Sequence, residues 1–144
     1  MIWGLLRRLR NFWRQLAESL NLKYSQLQCR LANGQFDYGN GVFFHVPVRI
    51  DGAGRVKVGA NNHFGYRYAP KLGNGEILLQ ARNPEARISI GQRNWFSNNG
   101  AIISCSEITI GNDCLFGDGV TIFDSDFHDL NPQNRRTGGG ECHQ

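Results

Sequence analysis

No apolar run in this 144-residue sequence approaches the roughly 20 residues that a membrane-spanning helix needs. Nor does the N-terminus read as a secretory signal, because arginines interrupt its apolar stretch. Cysteine is sparse. Cys29, Cys105, Cys114 and Cys142 form no C-x-x-C pair and no zinc-ribbon spacing. They are expected as reduced thiols, and the expected location is cytoplasmic. Acidic residues are missing from the start of the chain, where Arg7, Arg8, Arg10 and Arg14 stand unopposed until Glu18. The net charge of +4 is therefore a local imbalance, and no nucleic-acid partner is expected from it.

Glycine is abundant. The 18 glycines are about twice the usual share, which implies a backbone that turns often through tight corners. Before that region, Ile2, Leu5, Leu6, Leu9, Phe12, Trp13, Leu16 and Leu20 recur at spacings of three and four. This predicts an amphipathic helix over 1–30, with arginines on much of its remaining surface. Such a helix suits two roles. It can cap one end of a repeat array, showing its charges to water. It can also lie on an anionic membrane surface, which gives residues 1–20 a peripheral contact at the inner face of the cell membrane. One helix can do both.

Three segments then repeat. Val56-Lys-Val58-Gly59 leads to Phe64-Gly65, Ile88-Ser-Ile90-Gly91 to Phe96-Ser97, and Ile108-Thr-Ile110-Gly111 to Phe116-Gly117. Apolar residues return every six positions through Ile90, Phe96, Ile102 and Ile108, and through Ile110, Phe116 and Ile122. A period of six is neither helical nor a long strand. It describes short strands separated by corners, three to a coil of ~18 residues, in a parallel β-solenoid. The second and third copies stand 20 residues apart, so a corner near Ser106–Glu107 is expected to widen. Val42, Val46, Val48 and Ile50 suggest an earlier coil. Part of the stretch 66–87, with Pro70, Gly73, Gly75 and Pro84, reads as a loop leaving the solenoid. The expected organisation is a helix over 1–30, a solenoid over 31–128, and a polar loop with an irregular tail over 129–144.

The hexads stop at Ile122-Phe-Asp124-Ser-Asp126-Phe-His128-Asp129, followed by Pro132 and the pair Arg135-Arg136. A histidine in such a loop can act as a general base because its pKa lies near neutrality. A carboxylate can orient its ring, with Asp126 the preferred partner and Asp124 the second.

These hexads, running through I-F-D-S-D-F-H into a loop with paired arginines, resemble the hexapeptide-repeat acyltransferases. The nearest branch is the sugar and polysaccharide O-acetyltransferases, including the maltose and galactoside acetyltransferases. The resemblance covers about residues 42–138. It implies an all-β, left-handed parallel β-helix and a homotrimer with active sites between subunits. It implies acetyl-CoA as acyl donor, a sugar or polysaccharide-precursor hydroxyl as acceptor, and no metal. His128 matches the catalytic base, with Asp126 beside it, and attack on the thioester would be direct. Asn99 matches a polar acceptor-site position, and Asp124 joins it as an expected substrate-binding residue. Members of the family carry further coils after this loop, whereas residues 138–144 hold no hexad, so the chain is expected to be C-terminally shortened relative to them. The alternative is a non-catalytic β-helix scaffold or trimerisation module. A zinc site is a weaker possibility. It would use His45 and His63, which stand 18 residues apart, but no third ligand is spaced convincingly.

Overall fold

The computed structural model describes residues 2–136. The expected irregular tail over 137–144, with Cys142, lies outside them. Helix α1 spans Ile2–Leu31. It ends at Asn33, whose φ of 58° is left-handed and lets Gly34 N–H reach Cys29 O at 3.0 Å. Twelve strands follow: β1 (Gln35–Tyr38), β2 (Phe43–Phe44), β3 (Val48–Asp51), β4 (Arg55–Val58), β5 (His63–Phe64), β6 (Ile77–Ala81), β7 (Arg87–Ile90), β8 (Trp95–Phe96), β9 (Ala101–Ser104), β10 (Glu107–Ile110), β11 (Leu115–Phe116) and β12 (Thr121–Phe123).

The strands form three parallel sheets. The first has the order β1-β4-β7-β10, the second β2-β5-β8-β11 and the third β3-β6-β9-β12. This is a parallel β-helix. The inward hexad residues stack as equivalents in register: Val56 on Ile88, Ile88 on Ile108, Phe64 on Phe96 and Ile102 on Ile122. Phe44, Phe64, Phe96 and Phe116 make one aromatic column, with centroids 5.6, 4.9 and 4.6 Å apart. Burying an aromatic ring in this way stabilises by roughly 2–3 kcal/mol, so the column is a main source of cohesion between coils.

Three details refine or correct the sequence reading. Register steps such as Gln35 to Arg55 and Arg87 to Glu107 give coils of 20 residues, because Cys105 and Ser106, like Gly52–Gly54, form a roomier corner into the first sheet. Gly52 is required there. Its φ is +86°, and a Cβ would sit 2.0 Å from Ala81 O. The loop excursion is shorter than 66–87, since β6 returns to the third sheet at Ile77. Finally, Cys29 and Cys114 are thiols, but Cys105 is disulfide-bonded, so the expectation of thiols throughout does not hold.

Helix α1 closes the first coil. Asn21 Nδ2 donates to Phe44 O at 2.8 Å, and Ser25 Oγ donates to Val48 O at 2.6 Å. Strands β2 and β3 are sheet edges, so these bonds satisfy carbonyls that would otherwise seek another strand. At the other end no strand among the described residues pairs with the outer edges of β10, β11 and β12, and Leu115 is 81% exposed.

Candidate functional site

The loop after β12 is built around buried Ser125, whose hydroxyl accepts from Phe127 N–H at 3.0 Å. Phe127 takes a left-handed φ of 57° and turns the chain. Its ring lies against Phe123 at 5.2 Å and under the Arg82 guanidinium at 4.6 Å. The turn carries His128 into solvent. Its N–H reaches back to Asp126 O at 2.6 Å. This hydrogen bond between Asp126 and His128 is a backbone one, and His128 is exposed. Arg135 and Arg136 are exposed further along the same loop.

Asp124 is committed elsewhere. It accepts from Ser104 Oγ at 2.7 Å, Cys105 N–H at 2.7 Å and Ser106 N–H at 3.0 Å. Burial would raise its pKa, but the bonds from Cys105, Ser104 and Ser106 outweigh it and hold the carboxyl below its ordinary value. Asp124 therefore caps the roomy corner of the preceding coil.

Asn99 lies on the corner entering β9, at the opposite end of the third sheet from His128. Its Oδ1 accepts from Leu72 N–H at 2.9 Å. Its Nδ2 donates to Pro70 O at 3.0 Å and to Asp118 at 2.9 Å. Both amide hydrogens are used within the chain. Among the described residues no hydrogen bond joins His128 to Asn99.

A second cluster was not read from the sequence as a unit. Glu18 Oε1 lies 3.0 Å from His45 Nδ1, and His45 Nε2 lies 3.1 Å from His63 Nδ1. A carboxylate only accepts, so His45 donates from Nδ1 and, when neutral, accepts from His63 through Nε2. The His63 ring is stacked between Phe43 at 4.7 Å and Trp95 at 3.9 Å. Burial pushes its pKa below the ordinary value, His45 adds to this, and Glu18 opposes it. Beside the cluster, α1 and the excursion loop enclose a cleft of about 490 Å³. Arg10, Arg14, Arg67 and Lys71 line it. The only sequence signal was the 18-residue spacing of the histidines. Glu18 comes from α1, which no spacing rule connects to them. Among the described residues no three or more His, Cys, Asp or Glu side chains are arranged to hold a metal.

No family model, curated protein or solved structure matches the chain.

Proposed function

We propose that the chain bears the general base of an acetyl-CoA-dependent O-acetyltransferase acting on a sugar or polysaccharide-precursor hydroxyl. One observation carries this reading: a hexad-built parallel coil runs directly into an anchored turn that leaves the His128 ring in solvent. His128 would take the hydroxyl proton as that oxygen attacks the thioester carbonyl, and the CoA sulfur would leave as the thiol after protonation. Asp126, two residues before His128, is the carboxylate proposed to steady the imidazolium. Arg135 and Arg136 suit the phosphates of such a donor.

The opposite placement of Asn99 and His128 favours a site shared between subunits. A left-handed homotrimer, with acetyl-CoA along each intersubunit cleft, would bring one subunit's base to a neighbour's acceptor side. A second reading, a non-catalytic scaffold or trimerisation module, is favoured by a different observation. Asn99 and Asp124 spend their hydrogen-bonding capacity on their own backbone.

Release of free thiol from acetyl-CoA in the presence of sugar acceptors tests the proposal. Turnover that His128→Ala abolishes supports it. A trimer that never turns over acetyl-CoA with any acceptor sinks it and leaves the scaffold.

A further inference from the structure

Helix α1 meets the solenoid with a mixed side, where Leu22 and Cys29 pack against the core and Asn21 and Ser25 make hydrogen bonds. Counting about 100° per residue, Glu18, Leu22, Ser25 and Cys29 share one side. All four are half-buried or buried. Leu6, Leu9, Trp13, Leu16, Leu20 and Leu27 share the other. All six are exposed, with Trp13 at 62% and Leu20 at 56%. The capping role and the apolar stripe are thus separate surfaces of one helix. The arginines are exposed, as expected of a cap, but the apolar stripe is exposed with them, and the cap works in part through the Asn21 and Ser25 hydrogen bonds.

We propose that the outward face of α1 docks the protein on an anionic lipid bilayer, the apolar stripe entering the interface and the solenoid standing on the water side. Charge selects this occupant. The helix carries Arg7, Arg8, Arg10 and Arg14, and no acid precedes Glu18. Arg67 and Lys71 face Arg10 and Arg14 across the cleft, so the solenoid reinforces the positive field. Glu18 offsets part of the Arg14 charge and, among the described residues, forms no ion pair with the other three arginines. It stands 3.8 Å from Arg14 and is engaged by His45 at 3.0 Å. A second copy fits poorly, because pairing two such stripes in parallel would bring the flanking arginines of both copies together without an acidic partner. A bilayer fits on both counts. At about 100° per residue Arg8 and Arg10 stand roughly a quarter to a third of a turn from the stripe's centre, near enough to reach up to headgroup phosphates, while Arg7 and Arg14 lie farther round toward Glu18, and Trp13 on the stripe suits the interfacial zone. No helix is long and apolar enough to cross a membrane among the described residues, so the contact is one of lying on the surface.

The test is flotation of the full chain with vesicles of phosphatidylcholine alone and of an equal mixture with phosphatidylglycerol. The protein is expected to float with the mixed vesicles, with tryptophan emission moving to the blue. Arg10→Gln with Arg14→Gln should weaken that binding on the order of tenfold, as should raised salt. Leu9→Glu with Trp13→Glu should abolish it. All four side chains are exposed, so unchanged circular dichroism and melting temperature will show that the variants fold. Failure to float with either vesicle overturns the proposal. Equal binding to both vesicles overturns the anionic selection. Self-association that the Leu9 and Trp13 variant abolishes, without any flotation, assigns the stripe to a second copy instead. None of these outcomes depends on acetyl transfer.

Discussion

Asn98 holds Tyr66 from both sides of the peptide, accepting from its N–H at 2.9 Å and donating to its C=O at 3.0 Å. The same fully buried amide also donates to Ala69 O at 3.2 Å and Pro70 O at 3.1 Å. One side chain thereby fastens the excursion loop to the corner of the next coil. Asn98→Ala would strand several backbone groups at once. The expected loss is about 2–4 kcal/mol, read as a lower melting temperature. Limited proteolysis should cut first between Tyr66 and Asn74. A melting temperature within error of wild type would show that the loop holds itself.

Acid should destabilise the protein in two windows. The unfolded chain protonates His63 near its ordinary value of 6.5, while the folded chain resists because the imidazole is buried beside His45. Stability on this account is complete above that value and is lost as pH falls through the lower folded value. The second window belongs to Asp124, whose ordinary value is 3.8 and whose folded value is lower. Its contribution is present above 3.8 and is lost as pH falls through the folded value. Denaturant midpoints measured across pH should therefore fall in two steps. His63→Gln should remove the upper step, and Asp124→Asn the lower.

The aromatic column should be graded by position. Phe64 is fully buried between Phe44 and Phe96, whereas Phe116 is half-buried at the open end. Phe64→Ala should cost ~3–5 kcal/mol. Phe116→Ala should cost distinctly less, because part of that ring already meets water. Equal losses in chemical denaturation would contradict this order.

His128→Ala should leave stability unchanged within about 0.5 kcal/mol, since the ring is exposed and outside the core. Any thiol-release activity should disappear all the same. A destabilised variant would mean that the ring is structural, and the loss of activity would then say nothing about a base.

The inward residues were legible because packing obeys a simple period: Val58, Phe64, Ile90, Phe96, Ile102, Ile108 and Ile110 are all buried. Three features were not. Asn62 and Asn94 are fully buried in equivalent corners, Asn62 donating to Gly59 O and Gly91 O and Asn94 to Gly111 O. They looked like variable positions, yet Asn recurs three places after Gly59 and Gly91, and Cys114 takes the equivalent place after Gly111. The orientation of α1 escaped because apolar patterning predicts what avoids water, whereas here hydrogen bonds to edge carbonyls decide which side docks. The roles of Asn99 and Asp124 escaped for a related reason. Their chemistry suits a ligand or a corner equally, and only the neighbouring coil shows the backbone groups that they bind.

The excursion loop also bears on how freely this chain can change length. Strand β4 pairs with β7 across 32 residues, where β1 with β4 and β7 with β10 span 20. Closing the longer step costs only about 0.4 kcal/mol more, because closure entropy grows with the logarithm of length. Gly73 and Asn74 lie at the exposed tip, beyond the reach of the Asn98 clamp. That tip is a natural insertion point: extra sequence there, a recognition loop or an engineered epitope, would leave the register of every stacked strand intact.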